Sequence, residues 1–451
     1  IMIKYKGKIL TAEQENHILK IINSNDDYAI QAPPGSGKTF LLLALARKMK
    51  GYGLSVSFNK LLAIEASKKF SSSVTCKTGH SLAYGEVGHK YRKRLKKLTG
   101  KLLANTEDIG DWQIYNSATN KGYLILNTIR KFCYSSDIMI SKKHIPQLTI
   151  LNDASIEEMQ EDLIFHSDKI FQKMLDINSE IPITHDVYLK AWALTNPIIN
   201  KDYIFFDEYQ DSNPVIAQVI KNQACQKVFV GDAFQQIYSW RGAVNALSDK
   251  SLEMLYITQS FRFGHAIADL CNTIIKSYYP IDLQYVDFRG NDEVQSAVSY
   301  EPLLPDCIIC RTNKFVISET INNLKEEQNV HIHGGTQALT YLINSIHWLK
   351  VKGSTNHPDL FLFKNYQELL DYANSDMGGD LKPILKMMET YTRERLINIL
   401  ESTCEDPTEA DITITTAHKA KGLEWSTVKL ANDFKVATEN YTPSEEETNI
   451  L

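Results

Sequence analysis

At 451 residues the chain is long enough for two to four domains of ordinary size. Hydrophobic residues make up 43% and charged residues 23%, a globular usage that excludes a disordered polymer, and no apolar run reaches the ~18 residues that would span a bilayer. A net charge of −5 excludes global attraction to nucleic acid, so any such contact must be local, and seven scattered cysteines point to reduced thiols in a cytosolic compartment.

Taken in chain order, "TAEQENHILKIIN" has helical periodicity with Thr11 as its N-cap, "YAIQA" reads as a short strand, "PPGSGKT" as a loop, "FLLLALARKMK" as a helix and "LSVSF" as the next strand. Strands alternating with helices predict a parallel sheet, hence an α/β fold. From about Glu86 to Asn178 the pattern turns long, polar and helical, as in an inserted domain. "DYIFFDEYQD" and "KVFVGD" then return to apolar strands that end in acidic loops. From about Leu255 on, "LEMLYITQ", "DCIIC", "NVHIHGG", "ITITTAH" and "TVKLAND" read as strands of a second α/β unit. A further helical stretch interrupts it between about Ala338 and Ala410.

Residues 32–39, APPGSGKT, have the spacing of a P-loop with Ala32 at the first glycine position. Gly35 and Gly37 permit backbone conformations closed to other residues. The amides of Gly35, Ser36, Gly37, Lys38 and Thr39 can then turn inward around phosphate oxygens, helped by the positive end of the following helix. Lys38 would reach the β- and γ-phosphates and Thr39 would hold Mg²⁺. A P-loop needs a partner carboxylate at the end of a neighbouring strand, and "IFFDEYQD" supplies two: Asp207 for the Mg²⁺ shell and Glu208 to polarise water. Gln235, after the strand ending at Gly231–Asp232, can sense the γ-phosphate and orient that water. Cys307 and Cys310 lie three apart in a strand pattern and face opposite sides, so they do not read as a metal site. His331 and His333 share a face but lack a third ligand.

The ordered set Gln14, "APPGSGKT", "TGHSLAYG", "FFDEYQDSN", "VGDAFQQIYSWRGA", "TQSFRFG", "CRTN" and "TAHKAKGLEW" covers nearly the whole chain. In that order it resembles the UvrD/Rep/PcrA-type superfamily 1A DNA helicases. "ITHDVYLKAW", "QSFRFG" and "AHKAKGLEW" look most like the branch that holds the F-box DNA helicases, although no F-box-like segment occurs in this sequence. The resemblance implies two RecA-like P-loop NTPase domains with two helical insertions. The first domain would comprise 1–85 and 186–257 around an insertion at 86–185. The second would comprise 258–340 and 409–451 around a reduced insertion at 341–408.

The same resemblance implies roles at matching positions. Gln14 would read the adenine edge, Phe261 would stack on the base in place of the family's usual Tyr, and Arg262 would reach the γ-phosphate. Gly422 and Glu424 would lie near the nucleotide. Thr78, His80, Ser81, His418 and Lys419 would contact DNA, with Trp240 and Tyr238 at base-stacking positions. The role of Arg241, pairing with acids or touching phosphate, stays open. The basic run "HKYRKRLKKLTGK" has Lys90, Arg92, Lys93, Arg94, Lys96, Lys97 and Lys101 with no acid between them. On a helix it would either hold a phosphate backbone or form a solvated face.

These features together predict an ATP- and Mg²⁺-dependent motor on single-stranded DNA and single/double-strand junctions, with 3′→5′ polarity implied by the resemblance alone. Its protein partners are not legible in the sequence. Such a motor would serve repair, recombination or replication, cytoplasmic at the nucleoid in a prokaryotic or viral setting and nuclear in a eukaryotic one. The short second insertion, about 70 residues, leaves open a translocase that displaces proteins but unwinds little. A non-catalytic ATP- and DNA-binding fragment is the other alternative, against which Lys38, Asp207 and Glu208 stand. A P-loop kinase is disfavoured by the DNA-type motifs. The final stretch, "TPSEEETNIL", is where the family usually leads into a segment carrying a further arginine. The sequence reading therefore expects this piece to bind ATP and hydrolyse it poorly.

Overall fold

The computed structural model describes residues 4–5, 8–96, 98–111, 113–115, 117–146, 153–237, 251–279, 287–301, 304–355, 357, 360, 363, 365–374, 381–434 and 450. The chain divides into two units, Ile1–Val298 and Ser299–Leu451. No helix among the described residues is long and apolar enough to cross a membrane.

In the first unit a two-residue ladder, β1 (Lys4–Tyr5) with β2 (Lys8–Ile9), precedes α1 (Ala12–Ile22). As expected, Thr11 caps α1: its hydroxyl accepts from the Gln14 amide, and the Gln14 side chain accepts from the Thr11 N–H. Six strands follow: β3 (Tyr28–Gln31), β4 (Gly53–Ser57), β5 (Val74–Thr78), β6 (Tyr203–Phe206), β7 (Gln226–Gly231) and β8 (Glu253–Tyr256). They form one parallel sheet in the order β5-β4-β6-β7-β3-β8. β3, β4 and β6 are buried at every position; β6, YIFF, accordingly runs apolar, while β4, GLSVS, buries Ser55 and Ser57 as well. The helix α2 (Lys38–Ala46) buries Leu41 to Ala46 without a break. Together with Ile18 and Ile21 of α1 it forms the core over Ile30, Phe205, Val228 and Val230. α3 (Lys60–Lys69), α4 (Gly79–Glu86) and α9 (Pro214–Lys221) complete the layers.

The insertion is helical as expected, with α5 (Gly100–Thr106), α6 (Ala118–Tyr134) and α7 (Asp153–Leu175) leading to α8 (His185–Leu194). The basic run, however, is not one helix. A 3₁₀ stretch, Gly88–Arg94, ends before Leu95, and α5 starts only at Gly100. Packing breaks it: Tyr91 is buried with its hydroxyl donating to the Leu175 carbonyl. Arg94 turns inward and donates to the carbonyls of Met174, Asp176 and Ile181. Arg94 therefore staples the insertion, while Lys90, Arg92, Lys93, Lys96 and Lys101 are exposed.

After α10 (His265–Tyr278), the first unit continues to Val298, beyond the boundary expected at 258, and "LEMLYITQ" supplies its edge strand β8. The reason is a set of hydrogen bonds. Glu13 of α1 accepts from the amide and hydroxyl of Thr258 at 3.0 and 2.6 Å and from Arg289 at 2.7 Å.

The second unit holds β9 (Cys307–Cys310), β10 (Val330–Ile332), β11 (Ile412–Thr416) and β12 (Val428–Leu430) in a parallel sheet of order β10-β11-β9-β12. α11 (Asn313–Lys325), α12 (Gln337–Lys352), α13 (Tyr366–Asn374), α14 (Lys382–Thr390), α15 (Arg393–Glu401) and α16 (Ala417–Ala420) accompany it. Cys307 and Cys310 are buried free thiols whose pKa burial pushes up, and His331 is held by the Cys404 carbonyl at 3.0 Å. Among the described residues no cluster of His, Cys, Asp or Glu would hold a metal by itself.

Lys121 of α6 is 0% exposed, and its ammonium lies 2.7 Å from Asp162 and 2.7 Å from the Asp111 carbonyl. Lys121→Ala leaves the Asp162 carboxylate without its cation. We expect a loss of about 3–5 kcal/mol, read as a lower thermal midpoint.

Candidate nucleotide site and adjoining aromatic groove

The P-loop leaves the C-terminal end of β3, where a parallel sheet opens its crevice. Gly35 and Gly37 take φ of 70° and 79°, and Gly37 caps α2 in the left-handed conformation. The fully buried Ser36 hydroxyl has no hydrogen-bond partner among the described residues, as suits a loop shaped around an anion. Lys38 projects from the first turn of α2 and meets Glu208 at 3.4 Å.

The strand next to β3 is not β6, as the sequence led us to expect, but β7; β6 lies one place further. Three carboxylates therefore converge from two strand ends. Burial opposes the charge on Lys38, yet Glu208, Asp232 and Asp207 together outweigh it and hold the ammonium above the usual lysine range. Burial, followed by the neighbouring Glu208, pushes the Asp207 carboxyl up to about 6, against the pull of Lys38. Burial likewise raises Asp232. Three acids around one lysine suit a further cation. The Thr39 hydroxyl and Asp207 carboxylate are the oxygen donors that would hold Mg²⁺ beside a phosphate.

Glutamines organise these acids; sequence reasoning singled out Gln235, for the γ-phosphate and the water, and passed over Gln31 and Gln210. Gln31 donates to Asp232 at 2.7 Å and accepts from the Ala233 amide at 2.9 Å. Gln210 donates to Glu208 at 2.7 Å and accepts from the Asp232 amide at 3.0 Å. Gln235 donates to Asp232. A glutamine in a strand or tight turn carries no sequence signal of this kind; only its burial does.

Segment 258–262 closes over the loop. Ser260 donates to the Pro34 carbonyl at 2.8 Å, and the Phe261 amide donates to the Gly35 carbonyl at 2.9 Å. A Cβ on Gly35 would stand 2.3 Å from that of Arg262. The Phe261 ring and the Gln14 amide both border Gly37, and Gln14 donates to the Ser36 carbonyl at 3.1 Å. The expected base-binding pair thus lies beside the loop, with Gln14 partly committed to tying helix α1 to it.

At the far side of the sheet a cavity of about 640 Å³ opens beyond β4 and β5. Phe58, Lys60, Lys77, His80, Tyr84 and Tyr188 line it among others. His80 is held by Asp186 at 3.0 Å, and the rings of Tyr84 and Tyr188 meet edge-on at 5.9 Å. Thr78 and Ser81 also border the cavity, but their hydroxyls form the cap of α4. They position His80. Sequence reasoning missed Phe58, which it took as the last residue of a strand; its place just past β4 and before the N-cap Asn59 was the available signal. Tyr238, Trp240 and Arg241 lie outside the described residues.

In the second unit His418 and Lys419 lie on α16, directly after the central strand β11, and Gly422 follows with φ of 85°. The Lys419 stem lies against Gly334, and burial lowers its ionisation. Glu424 follows in the same loop.

Residues 156–252 match the UvrD/REP helicase N-terminal domain. The chain is homologous to the F-box DNA helicases and to DNA helicase II homologues. It is 31% identical to F-box DNA helicase 1 of Gallus gallus over 461 residues, covering 94% of this chain and 45% of that protein. To F-box DNA helicase protein 1 of Schizosaccharomyces pombe it is 28% identical over 474 residues, covering 95% and 53%. A probable DNA helicase II homolog of Mycoplasma capricolum is 24% identical over 308 residues, covering 60% and 41%. The chain spans about half the length of the first two relatives.

Gly35→Ala forces a side chain into left-handed backbone and against Arg262. We expect a strain of about 1–3 kcal/mol in the loop, seen as roughly fivefold to 150-fold weaker binding of a fluorescent ATP analogue.

Proposed function

We propose that the chain is the motor portion of an ATP-dependent DNA helicase that translocates on single-stranded DNA in the 3′→5′ direction. The observation that carries this reading is the Lys38–Glu208 pair at 3.4 Å, set between the P-loop and the acidic ends of β6 and β7. The loop amides and Lys38 would bind the β- and γ-phosphates. Thr39 and Asp207 would hold Mg²⁺, which when bound neutralises charge on the transferring phosphoryl group. Glu208 would take the proton of the attacking water, Gln235 would orient that water, and Arg262 would reach the γ-phosphate. Gln14 and Phe261 would hold the adenine.

The groove of Phe58, His80, Tyr84 and Tyr188 supports the DNA half of the reading. Aromatic faces stack on bases without regard to sequence, and Lys60 and Lys77 offer charge to the backbone. Trp240, Tyr238, His418 and Lys419 would also contact DNA. The relatives' names contain DNA helicase, and a motor of this kind would act at single/double-strand junctions in repair, recombination or replication. The cellular compartment would follow the host: nuclear in a eukaryote, cytoplasmic otherwise.

Two measurements test this. Lys38→Ala in the full-length protein is expected to lower DNA-stimulated ATP turnover by at least about a hundredfold; undiminished turnover would refute the motor reading. Phe58→Ala is expected to weaken single-strand binding by about 1–3 kcal/mol, measured by fluorescence anisotropy. Unchanged affinity would remove the groove from the DNA track.

A further inference from the structure

We propose that Gln210 is a positioning residue for ATP hydrolysis, locking the Glu208 carboxylate to the turn that carries Gln235. The inference rests on reading Glu208 as the group that activates water.

Gln210 is 0% exposed and sits in a 3₁₀ turn, Tyr209–Asp211, directly after Glu208. Its amide orientation is forced. The Asp232 backbone N–H can only donate, so the partner 3.0 Å away must be the Gln210 oxygen. The nitrogen end then faces Glu208 at 2.7 Å and must donate to it. Gln210 therefore spans the ends of two adjacent strands, β6 and β7, with one side chain.

Glu208 needs such a hold. Its backbone is in the left-handed region, φ 54°, which a non-glycine residue keeps only under constraint from its surroundings. Its carboxylate also faces Lys38 of the P-loop at 3.4 Å. The 2.7 Å bond from Gln210 ties the same carboxylate to the strand ends as well.

The linkage continues past Asp232. Its carboxylate accepts from Gln31, from the Phe234 amide at 3.2 Å and from Gln235. Glu208, Gln210, Asp232 and Gln235 form one hydrogen-bonded chain, so the candidate base and the candidate phosphate sensor hold a fixed relative position. Gln31 braces the same turn from β3, the strand that ends in the P-loop.

The test is steady-state ATP hydrolysis by the full-length protein with single-stranded DNA. Gln210→Met keeps the side-chain length and removes both hydrogen bonds. Gln210→Glu keeps an oxygen for the Asp232 N–H and replaces the donor facing Glu208 by a like charge. If Met cannot support the fold, Glu still carries the test. For both variants kcat should fall on the order of tenfold to a hundredfold. KM for ATP and the affinity for a fluorescent ATP analogue should stay within about threefold. In a Glu208→Gln background, under single-turnover conditions, neither substitution should cause a further fall, because a residue acting through Glu208 has nothing left to position. Full kcat in either folded variant would overturn the proposal. So would an equal fall with and without Glu208, which is the mark of a general structural defect. Full turnover in Glu208→Gln alone would instead sink the assignment of Glu208, and with it the function proposed above.

Discussion

Everything in the first unit turns on bringing one lysine to three carboxylates. Lys38 can be charged in a buried place only because Glu208, Asp232 and Asp207 stand around it. Those acids can be buried only because Lys38 and the glutamines stand beside them. Neither set is stable alone, so the P-loop and the ends of β6 and β7 must come together in one arrangement. The hydrophobic core makes that possible. α2, buried on all sides from Leu41 to Ala46, is pinned between α1 and the sheet. The position of Lys38 in its first turn is then as rigid as the core itself.

The segment from Thr258 to Arg289 shows the same economy of contacts. It bonds to the P-loop carbonyls of Pro34 and Gly35 and clamps Glu13 in the first helix. Burial alone would raise the pKa of the Glu13 carboxyl, but the hydrogen bonds from Thr258 and the nearby Arg289 hold it below the usual carboxylate range. A loop that binds phosphate with backbone amides exposes its carbonyls on the other side. In this protein those carbonyls are satisfied by the segment that also brings Phe261 and Arg262 beside the loop.

Much of this was legible in the chain. The P-loop reads directly because its glycines and lysine act through backbone geometry, which local sequence dictates. Parallel strands read directly because burial on both faces gives apolar runs. The aromatic groove was half legible. His80 belonged to a motif, but Phe58 looked like one more apolar strand residue, and the hydroxyls of Thr78 and Ser81 went to a helix cap instead. The basic run misled in the opposite direction. Its charge density said surface, whereas Arg94 is spent on three internal carbonyls.

The amino-acid sequence by itself determined the glycine-rich loop, the acidic strand ends and the α/β alternation, since each depends on residues close together in the chain; the resemblance to DNA helicases came from motifs spread along nearly all of it. Only the tertiary structure decided which strands are neighbours, and so that β7 rather than β6 adjoins β3. It also decided that Gln31 and Gln210 hold the acids and that 258–298 folds with the first unit. These are pairings between residues as many as 276 positions apart. Their energy comes from burial and from hydrogen bonds that exist only once the strands have met, and no local pattern of residues encodes it.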